Sequence, residues 1–209
     1  MSLQIDAATF QAEKFQANQR DIELMRRVGC GDVEAFRLLV DAHQHAVIGT
    51  VAKMLGSPTE AEDIAQKVFL RVWTSAPRYK PTAQFNTWLY TIVRNLVYNE
   101  TRRRKRKPTV SLEERAEEWH QIAPDSSSAL PDEQVLYTEF EEEVDNAMQA
   151  LPERQRVALY LRLRREMPYV EIGKIMSASE PAVKALVFKA RTRLKRSLRQ
   201  YITDFSGST

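Results

Sequence analysis

Helical periodicity runs through nearly the whole chain and restricts its fold more than any other feature. Apolar residues recur every three or four positions, and no segment has the strict alternation or the Asn-Gly turn typical of a β-hairpin. We therefore predict an all-α protein. Gly-, Pro- and Ser-rich breakers separate the helices at 29–32, 56–59, 76–82, 107–111, 123–132 and 176–179.

Charge is distributed unevenly along the chain. Residues 1–107 carry 17 Lys and Arg against 11 Asp and Glu, a net charge of +6. Residues 108–145 carry 1 against 12 (−11), and residues 146–209 carry 13 against 5 (+8). Two basic segments around an acidic connector favour a protein that binds a polyanion. The acidic segment would be repelled by that polyanion or would compete with it for the basic surfaces.

A linker is predicted inside the acidic connector, where two prolines bracket three consecutive serines at 124–131. We therefore predict two small helical domains joined by an acidic flexible linker. The predicted divisions are an N-terminal extension (1–19), a first domain (20–107), the linker (108–137), a second domain (138–202) and a tail (203–209).

The composition excludes several classes of protein. The longest apolar stretch, 46–52, is far shorter than the ~20 residues of a membrane span, and the first residues do not resemble a secretory signal. We therefore expect a cytoplasmic location. The single cysteine, Cys30, excludes an internal disulfide and a multi-thiolate metal site, and we expect it to be a small buried residue.

No set of residues typical of an enzyme is found. His43 and His45 are two positions apart on a predicted helix and point in different directions, so they cannot share a metal. A Gly-rich phosphate loop and a Ser/His/Asp set are also missing. We therefore predict a protein that is not an enzyme and has no catalytic residue, metal, cofactor or small-molecule substrate.

Residues 59–74 predict an amphipathic helix with an apolar residue on its polar face. The predicted core stripe is formed by small and branched side chains, and Leu70 lies at the centre of the opposite face. That arrangement suits docking of a helix from another protein, although single exposed leucines are common on solvated faces. The stripe comprises Ala61, Ile64, Ala65, Val68 and Val72, and the opposite face comprises Asp63, Gln66, Lys67 and Leu70.

Residues 85–107 predict a helix that could hold nucleic acid. Its polar face interleaves arginine, asparagine and an aromatic residue, a combination suited to phosphates, base edges and stacked bases. It ends in six consecutive cations, 102–107, more than are needed to complement a helix dipole. Trp88 and Tyr90 could instead belong to the core. The core side is predicted to be Phe85, Leu89, Ile92, Val93 and Leu96.

The second domain has the spacing of a helix-turn-helix. A helix that begins near Leu151 is broken at 167–168, a short helix spans 169–176, and Ser179 caps a last helix with Pro181 in its first turn. On the outward side of this last helix, Lys184 and Lys189 are placed to meet guanine edges or phosphates. Ala185 and Phe188 are placed to meet thymine methyl groups.

Together these motifs resemble the sigma factors of bacterial RNA polymerase. Residues 60–73 resemble sigma region 2.2, and 88–107, with Trp-Leu-Tyr, Arg-Asn and a basic end, resemble regions 2.3 and 2.4. The segment that begins Leu-Pro-Glu-Arg-Gln-Arg and ends Lys-Ala-Arg-Thr-Arg-Leu-Lys resembles region 4. Regions 2 and 4 joined by a linker, with no region 3 domain, are typical of the extracytoplasmic-function (ECF) class. The resemblance thus implies a sigma factor for promoter-specific initiation, with promoter melting.

The resemblance also implies three sets of contact residues. The residues implied to bind the β′ clamp helices of core polymerase are Asp63, Gln66, Lys67 and Leu70. Relatives usually have an acidic residue in place of Lys67. The residues implied to contact the −10 element are Arg78, Tyr79, Lys80, Asn86, Trp88, Arg94, Asn95, Tyr98, Arg102 and Arg103. The residues implied to contact the −35 element are Ser179, Pro181, Lys184, Ala185, Phe188, Lys189 and Arg191.

The implied partners are core RNA polymerase, through its β′ clamp helices and β flap, promoter DNA and an anti-sigma factor. The acidic linker is implied to thread basic channels of the polymerase. Ala185 and Val187 stand where relatives often have polar or basic residues, which leaves the −35 sequence preference open. The alternative function is a helix-turn-helix transcriptional regulator that acts without core polymerase, but it leaves 60–107 unexplained.

Overall fold

The structure, a computed structural model, describes residues 7–57, 59–106 and 143–199. Every regular element within those ranges is helical, which confirms the predicted all-α class. The predicted linker (108–137) and tail (203–209) lie outside the described residues. The first domain contains α1 (Ala7–Gly29), α2 (Val33–Leu55), α3 (Thr59–Ser75), a short 3-10 turn (Ala76–Arg78) and α4 (Phe85–Arg106).

The C-terminal domain is a three-helix unit preceded by helical residues 143–149, named α5. Residues 169–176 form the short helix that the sequence predicts, and Ser179 caps the last helix by accepting a hydrogen bond from the Ala182 backbone N–H. Both predictions are confirmed. The three helices are α6 (Glu153–Arg164), α7 (Tyr169–Met176) and α8 (Glu180–Ser197).

The core of the first domain forms where α3 packs between α2 and α4. The predicted α3 stripe is buried throughout, and Leu39 and Val51 of α2 and Leu89 of α4 are fully buried in the same core. At the end of α2, Gly56 adopts a left-handed conformation (φ 65°) that glycine accommodates without strain. The helix therefore ends there, and α3 turns back along α2.

The α1 helix crosses the predicted domain boundary at residue 20. Asn18 Oδ1 accepts a hydrogen bond from the Phe85 backbone N–H at 2.8 Å, so α1 caps the first turn of α4. Asp21 is buried, and its carboxylate lies 3.0 Å from His43 Nε2 on α2. Residues on both sides of position 20 thus help to fix α1 against the helices of the first domain.

Cys30 is exposed, so the expectation that it is buried is wrong. It lies in the turn between α1 and α2, just before Gly31, whose positive φ of 86° turns the chain. A residue in a tight surface turn has few neighbours that could cover it. The preference of a thiol for an apolar environment is too weak to bury a residue at such a position.

The two domains pack directly against each other. α4 contacts α7, and α2 contacts α6. Arg165, just after α6, donates hydrogen bonds to the Ala46 carbonyl at 2.8 Å and to Thr50 Oγ1 at 3.1 Å, both on α2. No helix within the described residues is long and apolar enough to span a membrane.

Replacement of Asn18 by Ala should lower the free energy of unfolding by about 1 kcal/mol, because the first turn of α4 loses a side-chain cap. Urea denaturation followed by circular dichroism measures this change. Gln16→Ala, at an exposed position of the same helix, is the matched control. Equal stability of the two variants would contradict a capping role for Asn18.

Candidate polymerase and nucleic-acid interfaces

The polar face of α3 is exposed as the sequence predicts. Asp63, Gln66, Lys67 and Leu70 are spaced at intervals of three and four, so they lie on one side of the helix, and all four are exposed. Leu70 has 63% of its surface exposed, although it is a large apolar residue. The burial of the opposite stripe makes this exposure unavoidable, because both faces of one helix cannot enter the same core.

An apolar groove of about 770 Å³ lies between α2 and α3, beside this polar face. Gln66 and Leu70 belong to its lining, together with Val33, which is 68% exposed, and Trp73. Phe36 packs edge-on against Trp73 with ring centroids 5.0 Å apart. The contribution of α2 to this groove was not predicted from the sequence. The one indication was that α2 has more apolar residues than a single core stripe requires.

An aromatic cluster surrounds the start of α4. The Tyr79 ring lies 4.9 Å from the Trp88 ring, and both contact the fully buried Phe85. Burial raises the pKa of the Tyr79 phenol, and the negative charge of Asp21 adds to this effect. Tyr79 and Trp88 remain partly exposed, whereas Tyr90, the other aromatic that the sequence left open, is buried.

Two exposed cations and an exposed amide lie next to this cluster along the chain. Arg78 and Lys80 flank Tyr79 along the chain, and Asn86 lies in the first turn of α4. All three are exposed. The arrangement combines partly exposed rings with cationic and amide groups, as a surface for single-stranded nucleic acid requires.

The basic end of α4 divides into an inward and an outward part. Arg104 is turned inward, where it pairs with Glu60 and donates a hydrogen bond to the Leu55 carbonyl. Arg103 pairs with Glu100 at 2.7 Å, and the hydrogen bond to this carboxylate raises the pKa of Arg103. Arg104 thus stabilises the domain. The outward part consists of Arg102, Arg103, Lys105 and Arg106.

The middle of the polar face of α4 is occupied by the C-terminal domain. Arg94 is only partly exposed, and its guanidinium group donates to the Ile175 carbonyl oxygen, with Nε at 2.8 Å. Tyr98 lies under Arg94 at 5.3 Å and is also partly buried, which raises the pKa of its phenol. Asn95, by contrast, is exposed. The predicted −10 set is therefore divided by the contact between the domains.

The helix-turn-helix presents α8 with its predicted outward face exposed. Val183, Val187 and Ala190 are buried, and Phe188 is 71% exposed. Lys184 forms an ion pair with Glu180 at 2.6 Å and lies 5.7 Å from the Tyr169 ring centroid. All residues of the predicted −35 set are exposed, namely Ser179, Pro181, Lys184, Ala185, Phe188, Lys189 and Arg191.

The turn between α7 and α8 requires a residue without a side chain at Gly173. A Cβ atom at this position would lie 2.7 Å from the Ala178 carbonyl oxygen, closer than van der Waals contact allows. The α7 helix then ends at Ser177, whose φ of 51° reverses the chain. These local conditions set the angle at which α8 leaves the turn.

Comparison with known proteins identifies both domains. The family model for sigma-70 region 2 matches residues 39–107, and that for sigma-70 region 4 matches residues 141–194. The RNA polymerase sigma-H factor of Pseudomonas aeruginosa is 32% identical over 188 residues, which cover 89% of this chain and 97% of that protein. This chain is an ECF-class member of the sigma-70 family of RNA polymerase sigma factors.

Further relatives support the class of this sigma factor. The ECF sigma factor SigW of Bacillus subtilis is 31% identical over 181 residues, 84% of this chain and 95% of SigW. The solved structure of CnrH in complex with the cytosolic domain of CnrY has a TM-score of 0.61 and 20% identity, and covers 87% of this chain and 98% of that one. The solved structure of the Bartonella quintana sigma factor RpoE with the anti-sigma factor NepR has a TM-score of 0.63 and 22% identity. It covers 78% of this chain and 96% of that one. The fold is therefore that of known sigma factors.

Sigma factors are non-catalytic initiation factors that associate with core RNA polymerase and promoter DNA. Within the described residues, no group of three or more His, Cys, Asp or Glu is arranged to hold a metal ion. His43 faces Asp21, and His45 is exposed, so the two histidines do not converge.

Proposed function

We propose that this cytoplasmic sigma factor binds core polymerase through α3 and the adjoining groove, the −10 element through the start and end of α4, and the −35 element through α8. It carries out no chemistry of its own. The observation that carries the proposal is the exposed α3 face around Leu70, beside an apolar groove, in the same chain as a basic helix-turn-helix. A regulator that acts without polymerase would have no use for that face.

The α3 face fits a helical protein partner better than it fits nucleic acid. Leu70 and the groove residues Val33 and Trp73 offer apolar surface, whereas Asp63 and Glu62 would repel phosphates. The β′ clamp helices are the proposed occupant. Lys67 stands where relatives usually have an acidic residue, and we propose that it alters the charge complementarity of this contact and leaves its apolar centre unchanged.

Promoter contact is proposed to combine single-strand capture with duplex binding. Tyr79 and Trp88 are partly exposed and lie close along the chain to Arg78, Lys80 and Asn86, a combination that suits unpaired bases of a melted −10 element. In the second domain, the N-terminal half of α8 enters the major groove, with Lys184 and Lys189 near phosphates or guanines.

An anti-sigma factor is the proposed regulator. Two proteins of the same fold have been solved with a bound protein. CnrH is in complex with the cytosolic domain of CnrY, and the B. quintana sigma factor RpoE is in complex with the anti-sigma factor NepR. We propose that a partner of this kind covers the polymerase-binding surface of this chain. Affinity purification of the full chain from its native cells, followed by mass spectrometry, would identify it.

Run-off transcription tests the proposed function directly. The purified protein is added to bacterial core RNA polymerase on fragments of its own genome, including the DNA upstream of its own gene. We expect discrete start sites that depend on the added protein. Absence of transcripts, together with failure to comigrate with core polymerase, would contradict the proposal and favour a regulator that acts without polymerase.

Replacement of Leu70 by Asp should abolish binding to core polymerase and leave the fold intact, because the side chain is exposed and the new charge would lie at the centre of an apolar contact. Gel filtration with core polymerase measures binding, and circular dichroism measures folding. Phe15→Asp is the matched control, since Phe15 is a large apolar residue of α1 that is 64% exposed and does not line the groove. Equal loss in both variants would contradict a specific role for Leu70.

Replacement of Lys184 by Ala should weaken binding to the −35 region and lower the slope of log K against log salt by about one, because one phosphate contact no longer releases a counterion. Fluorescence anisotropy at several salt concentrations measures the slope. Glu180→Gln is the informative partner variant: it frees Lys184 from its ion pair and should strengthen binding. An unchanged slope for Lys184→Ala would place Lys184 away from the phosphates.

A further inference from the structure

The start of α4 is held by two elements that are distant from it in sequence, α1 and α2. The Phe85 backbone N–H donates a hydrogen bond to Asn18 Oδ1 of α1 at 2.8 Å. The Phe85 ring is fully buried, and its centroid lies 5.1 Å from that of the His43 ring of α2, with the ring planes inclined at 52°. Both the main chain and the side chain of Phe85 are therefore fixed by contacts from outside α4.

A buried polar pair joins α1 to α2 at His43. The Asp21 carboxylate of α1 lies 3.0 Å from His43 Nε2, and Asp21 is 6% exposed. An ionised carboxylate can only accept a hydrogen bond, so His43 Nε2 carries the shared proton. Because the ring torsion of a histidine is broadly distributed, this directional bond determines how the imidazole is turned.

The Phe85 ring in turn contacts the two partly exposed rings of the proposed −10 surface. Its centroid lies 5.8 Å from that of Trp88 and 6.4 Å from that of Tyr79, and the Tyr79 and Trp88 rings are 4.9 Å apart. The Tyr79 hydroxyl oxygen is buried without a hydrogen-bond partner among the described residues. Ring packing, and not the hydroxyl group, therefore sets the orientation of Tyr79.

Stability alone is a weak reason for a polar pair at this position. Removal of the Asp21 carboxylate from water costs free energy that the bond to His43 offsets, and well-packed apolar residues often stabilise a domain as much as such a pair. A hydrogen bond is directional, however, whereas apolar burial is not. The pair is therefore suited to setting the geometry of the rings that it supports.

We propose that Asp21 and His43 are positioning residues for the −10 surface. Asp21 orients the His43 ring, and His43 fixes Phe85. Phe85 then sets the orientations of Tyr79 and Trp88, so that both rings are ordered before DNA arrives. Such ordering raises affinity, because the apparent dissociation constant increases as the binding-competent arrangement becomes rarer. The inference rests on the proposed function for the ligand, which is unpaired promoter bases.

Nuclear magnetic resonance on the free full chain tests the positioning without DNA. The indole N–H signal of Trp88, assigned with a Trp88→Phe variant, reports the environment of the rings, and that of Trp73 in the α3 groove is the internal reference. Asp21→Ala removes the acceptor for His43 and should shift the Trp88 signal but not the Trp73 signal. Asp21→Asn keeps a carbonyl oxygen as acceptor and should restore the original Trp88 signal.

Val51→Ala is the control that separates positioning from stability. Val51 is fully buried on α2, about two turns after His43, and does not line the groove. Its truncation leaves a cavity and should lower the urea midpoint of unfolding without moving the Trp88 signal. Asp21→Ala combined with His43→Ala should shift that signal no further than His43→Ala alone, because the two residues act as a unit.

Promoter binding measures the consequence for function. Each variant is reconstituted with core polymerase, and the probe is promoter DNA from the run-off start sites with its −10 region unpaired. Asp21→Ala should weaken binding to this probe about tenfold, the effect of losing one hydrogen bond to a charged group. Asp21→Asn and Val51→Ala should bind as the unmodified chain does. Gel filtration with core polymerase should show equal binding for all variants, because the α3 face is unchanged.

The outcomes separate this inference from the proposed function. An unchanged Trp88 signal in Asp21→Ala, an equal shift in Val51→Ala, or no restoration in Asp21→Asn would overturn the positioning role. A shifted signal with unchanged affinity for the unpaired probe would also overturn it, since the ring geometry would then have no effect on DNA binding. Absence of transcripts with the unmodified chain would contradict the proposed function alone, because the Trp88 signal reports the geometry without DNA.

Discussion

Burial of one face of α3 is the constraint on which the polymerase-binding surface depends. Ala61, Ile64 and Val68 fill the space between α2 and α4, and no rotation of α3 can bury Leu70 without exposing them. The core therefore fixes which residues face outward. It also aligns α2 beside α3, so that the apolar groove and the exposed Leu70 form one continuous surface.

The basic residues of α4 serve different purposes despite their proximity in sequence. Arg104 stabilises the first domain through Glu60, whereas Arg102, two positions earlier, is exposed. Arg94 donates to one carbonyl group of the other domain, that of Ile175. A guanidinium group has five donors in a planar fork, which makes arginine suited both to capping a helix and to binding phosphate. The same residue type can thus serve packing at one position of α4 and remain exposed at another.

The helices and their caps follow from local chemistry and could be predicted well. Ser179 with Pro181 predicts the start of α8, and the polar and apolar faces of α3 follow from helical spacing alone. Cys30 shows the limit of composition, because its exposure depends on the turn that holds it. The role of Asn18 as a cap for α4 was equally inaccessible, since 67 positions of sequence separate it from Phe85.

The sequence by itself determined the helical class, the helix-turn-helix and the outward faces of α3 and α8, because each depends on residues within a few turns of one another. The sequence also resembles sigma regions 2 and 4, and the matches to the two family models confirm this resemblance. Only the tertiary structure decided that Val33 and Phe36 join Leu70 in one groove and that Arg94 caps α7. These contacts join segments far apart in sequence, and a helical pattern fixes which way a side chain points but not which surface it meets.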